Sequence, residues 1–281
     1  MKTTLLAGQS SDQVMREPYA HLVNDAALDQ KFYDKLAATF PDPERFVKGL
    51  KTVGNNQAVR IPARDIIGNP EFSAEWQEFF RYHTSQDFWN DIVRVFGDAI
   101  RSTHPQLEAL AGKPLVDWRV KIRGTDAKGD VELDALFVVN TPVKKMSSVR
   151  PAHVDAEDEI FAGLLYMKPD DDRTGGGNLS MYKFKSAPAF GGHYAPLSAV
   201  TEERTVNYAA NRYVAFVNSP HSIHGVTPRP PTEAYRRYIN MVALTPFKAF
   251  KLPAMPLLDQ FKFWLERRRT KSHGVKARAG Y

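Results

Sequence analysis

The stretch IFAGLLYMKPDDDRTGGGNLSMYKFK, residues 160–185, decides the fold class. Residues 160–167 form an apolar run with the length of a strand that is buried on both faces. Residues 178–185 are again typical of a strand, and the acidic, glycine-rich segment 170–177 between the two runs is typical of a turn. We therefore predict a β-hairpin over residues 160–185.

Further strand patterns lie on both sides of this hairpin. Residues 116–122 alternate between apolar and charged side chains, which predicts a strand with one solvent-facing side. Residues 131–140, 205–218 and 235–245 are also rich in strand-forming residues. The second half of the chain is therefore predicted to be mainly β.

The first third of the chain has helical periodicity. Asp29 can cap a helix that Pro41 stops, and Ser73 can cap a second helix. A third helix follows Ser85 and ends before Pro105. Helices followed by many strands, without strand–helix alternation, predict a β-sandwich or jelly roll that is supported by N-terminal helices.

Composition excludes several classes of protein. The 281 residues are 43% hydrophobic and 25% charged, as in an ordinary globular protein, and the absence of cysteine excludes disulfides, iron–sulfur clusters and a cysteine nucleophile. A formal charge of +6 favours anionic partners only weakly and gives no strong signal for nucleic acid. No apolar run approaches the ~18 residues of a membrane span, and no signal-peptide core is present, so we expect a cytoplasmic protein without a membrane partner.

A basic tail follows the predicted strands. Residues 262–278 carry one acidic side chain, Glu266, against seven basic ones, and the preceding residues Phe261, Trp264 and Leu265 are consistent with a short helix. A solvated terminus is the ordinary interpretation of such a charge run, and an anion-binding or partner-docking role is the alternative. The basic residues are Lys262, Arg267, Arg268, Arg269, Lys271, Lys276 and Arg278.

One histidine is followed by a carboxylate two residues later, in His153-Val154-Asp155. Residues i and i+2 of an extended segment point the same way, so this imidazole and carboxylate can bind one metal ion. His224, after a predicted strand, is the best third ligand, and His221 is its rival. Two histidines and one carboxylate leave three coordination positions of a metal open, as in non-haem Fe(II) sites that activate O₂. The alternative is that His153 and Asp155 are a polar pair at a strand end that binds no metal.

Together these motifs resemble the 2-oxoglutarate- and Fe(II)-dependent dioxygenase superfamily, nearest to its prolyl-4-hydroxylase-like branch. The similarity covers most of residues 18–245 and is densest after residue 150. The segments that carry it are residues 153–155, 163–167, 178–182, 213–218, 224–226 and 236–237.

The resemblance implies a double-stranded β-helix, or jelly-roll, core within one catalytic domain over residues 1–281. Its parts would be helical support at about 18–105, the jelly-roll core at about 114–246 and the basic tail at about 257–281. The resemblance also implies that His153, Asp155 and His224 bind Fe(II), with 2-oxoglutarate and O₂ as co-substrates. Tyr166 would hydrogen-bond the distal carboxylate of 2-oxoglutarate.

Two adjacent arginines are candidates for the main partner of that carboxylate, which a guanidinium in a low-dielectric pocket holds well. Strand alternation places Arg236 and Tyr238 on one face and Arg237 and Ile239 on the other, and the more polar face favours Arg236 over Arg237. The family's Arg-x-Ser signature is absent in either register, because Tyr238 or Ile239 stands at the serine position.

The implied reaction is hydroxylation of a small-molecule or peptide substrate with release of succinate and CO₂. A carboxylate at Asp155 favours hydroxylation over halogenation, since related halogenases have a small residue there. Two other functions stay open: a cupin-like metal enzyme that does not use 2-oxoglutarate, and a metal-free jelly-roll binding module.

Candidate substrate contacts lie in and near a long insert. Residues 188–204 separate two predicted strands and have the length of a lid, in which His193 and Tyr194 would touch substrate. A plain surface loop is the more ordinary interpretation. Arg123 and Arg150 are further candidate contacts for an anionic substrate.

Overall fold

The structure is a computed structural model that describes residues 3–46 and 54–271. The described helices are α1 (Gln30–Ala38), α2 (Pro43–Phe46), α3 (Ala63–Ile66), α4 (Ala74–His83), α5 (Gln86–Thr103), α6 (Leu107–Ala111) and α7 (Leu257–Lys271). The described strands are β1 (His21–Asn24), β2 (Ala58–Pro62), β3 (Val120–Ile122), β4 (Val131–Asn140), β5 (Glu159–Tyr166), β6 (Leu179–Phe184), β7 (Val200–Val206), β8 (Tyr213–Val217), β9 (His224–Val226) and β10 (Arg236–Leu244).

The strands form two sheets. The larger sheet has the order β1-β8-β5-β10-β4-β2, with β3 paired in parallel to β4, and the smaller sheet has the order β7-β6-β9. Leu136, Val138 and Val214 of the larger sheet share one apolar cluster with Leu179 and Met181 of the smaller sheet. The two sheets therefore pack face to face as the layers of a jelly roll, and the predicted mainly β fold with N-terminal helices is confirmed.

The helices cover the other face of the larger sheet. Side chains alternate along β4, so that Phe137 points away from the smaller sheet and packs against Trp76 of α4 with ring centroids 4.6 Å apart. Phe96 of α5 packs against Phe161 of β5 at 5.2 Å. The larger sheet is thus buried on both faces, between the helices and the smaller sheet.

The predicted N-terminal ends of three helices are confirmed by their caps, although α1 ends at Ala38, before the predicted stop at Pro41. The Asp29 side chain accepts a hydrogen bond from the first turn of α1, and Ser73 and Ser85 do the same for α4 and α5. The apolar stripe predicted for the third helix is buried in α5: Phe88, Ile92, Val95, Phe96 and Ala99.

One prediction of strand pairing and one of strand extent are wrong. Residues 160–185 do not form a hairpin, because β5 lies in the larger sheet and β6 in the smaller one. Residues 205–218 do not form one strand, because they contain the end of β7 and all of β8, which also lie in different sheets. Local apolar patterns identify strands, but the layer that each strand joins depends on contacts that are remote in sequence.

Two predicted segments have other boundaries. Residues 115–117 form a 3₁₀ turn in which Val116 is 58% exposed, so that the strand predicted at 116–122 is reduced to β3. The predicted insert at 188–204 ends in β7. The sequence did not indicate this strand, because its central residues are mostly charged and only its two terminal valines are buried.

No helix among residues 3–46 and 54–271 combines the length and the apolar character that crossing a bilayer requires.

Gly163 of β5 is a position where a side chain does not fit. A Cβ added there would lie 2.8 Å from Cζ of the buried Tyr213 ring and still closer to its hydroxyl. We expect Gly163→Ala to destabilise the fold by about 2 kcal/mol, because the buried Tyr213 ring would have to shift within the core. Urea unfolding would measure the change, with Gly54→Ala as the control, since an added Cβ at Gly54 makes only ordinary contacts. Equal losses in the two variants would contradict the prediction.

His83 is a buried neutral histidine that makes stability depend on pH. Its Nδ1 lies 2.7 Å from the carbonyl oxygen of Phe79, and its Nε2 accepts a hydrogen bond from the amide of Leu5 at 3.2 Å. Burial lowers the pKa of His83 to about 4. Because the unfolded chain binds the proton near pH 6.5, this contribution to stability is complete above pH 6.5 and is lost as the pH falls towards 4.

We expect the acid-induced loss of stability to be smaller in His83→Gln by about 3 kcal/mol between pH 6.5 and 4. Urea unfolding at both pH values would measure the difference. His221→Gln, at an exposed position, serves as the control. An unchanged pH dependence in His83→Gln would show that the proton is not excluded from this ring.

Candidate metal centre

Three side chains from two remote segments of the sequence meet at the start of β9. His153 and His224 exchange both backbone hydrogen bonds, each 2.8 Å long, in an antiparallel bridge that sets their rings 4.3 Å apart. Asp155 follows two residues after His153 and points to the same side. One coordinating atom from each of the three residues lies within 4.8 Å of the others. The structure thus brings together the three residues that the sequence singled out as metal ligands.

Backbone carbonyls orient both imidazoles. Nδ1 of His153 lies 2.7 Å from the carbonyl oxygen of Pro151, and Nδ1 of His224 lies 2.8 Å from that of Ser222. A carbonyl oxygen only accepts, so each Nδ1 carries the hydrogen and each neutral ring has its lone pair on Nε2. Nε2 of His153 is buried and has no hydrogen-bond partner among the described residues. Both rings are therefore held in the tautomer that binds metal through Nε2.

The protonation states of the two histidines and of Asp155 leave their unshared electron pairs facing one another. Burial, reinforced by Arg150 and His224, lowers the pKa of His153 to about 3. Burial also lowers the pKa of His224, against the opposing effect of Asp155. For Asp155, burial alone would raise the pKa, but the two histidines and Arg150 outweigh it and hold the pKa well below its usual range. At neutral pH the centre therefore contains two neutral imidazoles and one carboxylate.

This donor set fits a divalent transition metal. The carboxylate oxygens of Asp155 lie 3.7 Å from Nε2 of His153 and 3.4 Å from Nε2 of His224. Since both neutral rings carry their hydrogen on Nδ1, no proton bridges these acceptors. Three electron-pair donors that converge in this way repel one another unless a cation lies between them. Two nitrogen ligands and one carboxylate oxygen suit a non-haem metal such as Fe(II).

Arg150 is part of the centre, although the sequence indicated only a candidate anion contact. Its Nη1 donates to Oδ1 of Asp155 at 3.0 Å. The guanidinium therefore restrains the carboxylate that would bind metal. No sequence signal predicts this pairing, because it depends on the bend of the chain between residues 150 and 155.

The insert runs along the metal centre. Tyr194 pairs with His153 in a β-bridge, and the amide of Val154 donates to the carbonyl of His193 at 3.0 Å. Nδ1 of His193 lies 3.2 Å from the carbonyl oxygen of Asp155. His193 and Tyr194 are thus next to the candidate ligands, and their role as lid residues stays a prediction. The rival ligand His221 is exposed and does not belong to the cluster that the described residues form.

The two candidate arginines lie on opposite faces of β10. Arg236 is buried between the sheets, where its Nε donates to the carbonyl of Gly177 at 2.8 Å and its Nη1 to Oδ1 of Asn140 at 3.2 Å. The guanidinium of Arg237 lies over the ring of Phe40 at 5.2 Å, on the helix side of the sheet. Alternation along the strand therefore separates them as predicted.

Arg236 is surrounded by aromatic rings. Its guanidinium carbon lies 5.2 Å from the ring centre of Tyr166, 5.0 Å from that of Tyr208 and 4.5 Å from that of Tyr238. The residue at the position of the missing serine, Tyr238, thus contributes a ring face to the buried cation.

Polar atoms without partners cluster around this guanidinium. The Tyr166 hydroxyl, the Asn140 amide nitrogen and Nη1 of Arg229 are buried and have no hydrogen-bond partner among the described residues. Arg229 packs beside Arg236, since a Cβ added at Gly177 would lie 3.0 Å from Cδ of Arg236 and 3.3 Å from Cδ of Arg229. Buried donors without acceptors are costly, so the group indicates a site for an anionic ligand.

Arg229 was not identified from the sequence, where it stands in an unremarkable proline-rich loop. Burial raises the pKa of Tyr19, a further buried tyrosine, and both Asp155 and Tyr166 raise it further.

No family model and no curated protein matches this chain. Among solved structures, a prolyl-4-hydroxylase from Pseudomonas putida is similar over 88% of this chain and 100% of its own, with 12% identity and a TM-score of 0.41. A prolyl 4-hydroxylase from Phytophthora capsici is similar over 95% of this chain and 73% of its own, with 14% identity and a TM-score of 0.43. A Trichoplax adhaerens prolyl hydroxylase, in complex with a hypoxia inducible factor peptide fragment, is similar over 84% of this chain and 89% of its own, with 12% identity and a TM-score of 0.41.

These identities and TM-scores are low, so the similarity by itself assigns no activity to this chain. The side chains of the metal centre and of the Arg236 pocket carry the functional argument.

Proposed function

We propose that this protein is a non-haem Fe(II)- and 2-oxoglutarate-dependent oxygenase that hydroxylates a small-molecule or peptide substrate and releases succinate and CO₂. One observation carries the proposal: the Nε2 lone pairs of His153 and His224 and the ionised carboxylate of Asp155 converge on one point. A jelly roll that served only as a metal-free binding module would have no reason to hold three mutually repelling donors together.

His153, Asp155 and His224 would hold the iron. When bound, Fe(II) and 2-oxoglutarate supply the oxidising chemistry, in which O₂ is consumed and the oxo-acid loses CO₂. The chain itself supplies the ligand geometry: the carbonyls of Pro151 and Ser222 keep each Nε2 free of hydrogen. The retained carboxylate at Asp155 favours hydroxylation over halogenation.

Arg236 would anchor the distal carboxylate of 2-oxoglutarate. In the described part of the chain it has only neutral acceptors, the Gly177 carbonyl and the Asn140 side chain, and no carboxylate within ion-pair distance. A buried cation without a counter-ion is costly, and a dicarboxylate co-substrate would neutralise it. The hydroxyl of Tyr166, which lacks a partner, would donate a further hydrogen bond. Arg237 is not part of this proposal, because its side chain lies on the other face of the sheet.

Anaerobic titration tests the proposal against both alternatives. Addition of Fe(II) and then 2-oxoglutarate is expected to produce a visible charge-transfer absorption that neither component gives alone. A cupin-like metal enzyme would bind Fe(II) without this second change, and a metal-free binding module would bind neither. Absence of metal binding by the folded chain would refute the proposal.

A further inference from the structure

The C-terminal helix α7 exposes a stripe of large apolar side chains. The exposed fractions are 83% for Leu257, 76% for Leu258, 59% for Phe261, 45% for Trp264 and 38% for Leu265. At about 100° per residue, these positions fall within about 120° of one another around the helix. They therefore form one continuous apolar surface, which we call the α7 stripe.

Such a stripe is unusual among the described residues. The other large hydrophobic side chains that are exposed there are isolated in sequence: Leu110, Val116, Met146 and Leu197. Single exposed hydrophobic residues need no explanation, whereas a contiguous patch marks a surface that contacts a partner or a membrane.

The opposite side of α7 attaches the helix to the rest of the protein. A Cβ added at Gly191 would lie 2.8 Å from Cδ1 of Phe263, so the Phe263 ring packs against this backbone. Phe190 pairs with the segment before the helix, accepting a hydrogen bond from the amide of Met255 at 3.0 Å. Phe263 is turned by about 200° from Phe261, so the α7 stripe faces away from the protein body.

The charge of the helix indicates what covers the stripe. Four of the five residues from 267 to 271 are basic: Arg267, Arg268, Arg269 and Lys271. They follow the stripe within about two turns of the same helix. A helix that combines Leu, Phe and Trp with clustered Arg and Lys suits an anionic lipid surface, where the apolar side chains enter the headgroup region and the basic ones meet lipid charge. Parallel pairing with a second copy would bring two such basic clusters together and is disfavoured. Pairing in the antiparallel orientation is an outcome that the experiment below distinguishes.

We propose that α7 binds the protein peripherally to anionic lipid bilayers. The helix has 15 residues and a length of about 22 Å, shorter than the ~30 Å hydrocarbon core, so it would lie in the plane of the membrane surface. The expectation of no membrane partner rested on the absence of a spanning segment, which does not bear on surface attachment. The same loop holds both α7, through Gly191, and the ligand His153, through Tyr194, so attachment would bring the metal centre close to the bilayer.

Vesicle co-sedimentation of the full chain tests this proposal and requires neither iron nor substrate. We expect the chain to pellet with phosphatidylcholine vesicles that contain about one third phosphatidylserine, and to be released by about 0.5 M salt. Replacing Arg267, Arg268 and Arg269 by serine should weaken the partition by about a hundredfold, since each basic residue contributes a factor of about five. Phe261→Glu with Trp264→Glu should also abolish binding.

Leu110→Glu, an exposed leucine on α6, is the matched control and should bind vesicles like the parent chain. Circular dichroism would verify that all variants are folded, which is expected because the altered stripe residues are exposed. Failure of the parent chain to pellet with anionic vesicles would overturn the proposal. Undiminished vesicle binding by the Phe261→Glu, Trp264→Glu variant would also overturn it. A third contradicting result would be a parent chain that binds no vesicles but forms a concentration-dependent dimer, which this variant abolishes.

Discussion

Replacing His153 by alanine is expected to weaken metal binding by about a hundredfold or more. The change removes one of three ligands whose coordinating atoms lie within 4.8 Å of one another, and it also removes the ring that is packed 4.3 Å from His224. Mn(II), an air-stable substitute for Fe(II), is the practical probe, and its dissociation constant can be measured by calorimetry.

A stability measurement gives a second readout of the same prediction. At a metal concentration about 100 times the dissociation constant, binding should stabilise the parent protein by about 2.7 kcal/mol, and this gain should be absent in His153→Ala. His221→Ala is the control, because His221 lies three residues from His224 but is exposed. If His153→Ala bound Mn(II) as tightly as the parent protein, the metal site would have to lie elsewhere.

Replacing Arg236 by glutamine is expected to weaken 2-oxoglutarate binding by about 3 kcal/mol or more, a factor of about 150. The glutamine retains a donor but loses the buried charge and the paired geometry that suit a carboxylate. Binding can be measured by calorimetry on the Mn(II)-loaded protein under conditions where no turnover occurs. Metal affinity in the absence of 2-oxoglutarate should stay unchanged, because Arg236 makes its described hydrogen bonds with Gly177 and Asn140 rather than with the triad.

Arg237→Gln is the matched control for this experiment. The two arginines are adjacent in sequence, yet Arg237 lies over Phe40 on the helix side of the sheet, so its replacement should leave 2-oxoglutarate binding unchanged. Arg236→Gln should not unfold the protein, since removal of a buried cation without a counter-ion also removes its desolvation cost. If Arg237→Gln lost 2-oxoglutarate binding and Arg236→Gln kept it, the co-substrate would lie on the helix side of β10, and the proposal for Arg236 would be wrong.

Much of the local structure could be predicted from the sequence. Asp29, Ser73 and Ser85 cap helices where the pattern placed them, and the buried stripe of α5 follows its helical spacing. These features depend on interactions between residues a few positions apart, and such local interactions can be inferred from one sequence. Strand pairing was less predictable, because β5 and β6 are neighbours in sequence but lie in different sheets.

The candidate site shows the same division. His153 and Asp155 share a side of the chain because extended residues alternate, which the sequence shows directly. The contact of Arg150 with Asp155 and the packing of Arg229 beside Arg236 were not predictable, since each depends on how an irregular segment of the chain bends in the folded protein.

By itself, the sequence determined which residues can be metal ligands, which arginine shares a face with polar neighbours, and where helices begin. Only the tertiary structure decided that His153 and His224 form one bridge, that both rings present Nε2, and that the α7 stripe faces away from the core. The reason is physical: residue type and period depend on covalent neighbours, whereas convergence and exposure depend on packing between segments that are far apart in the chain. Each tautomer depends on how the folded backbone directs the carbonyl two residues earlier, of Pro151 or Ser222, towards Nδ1.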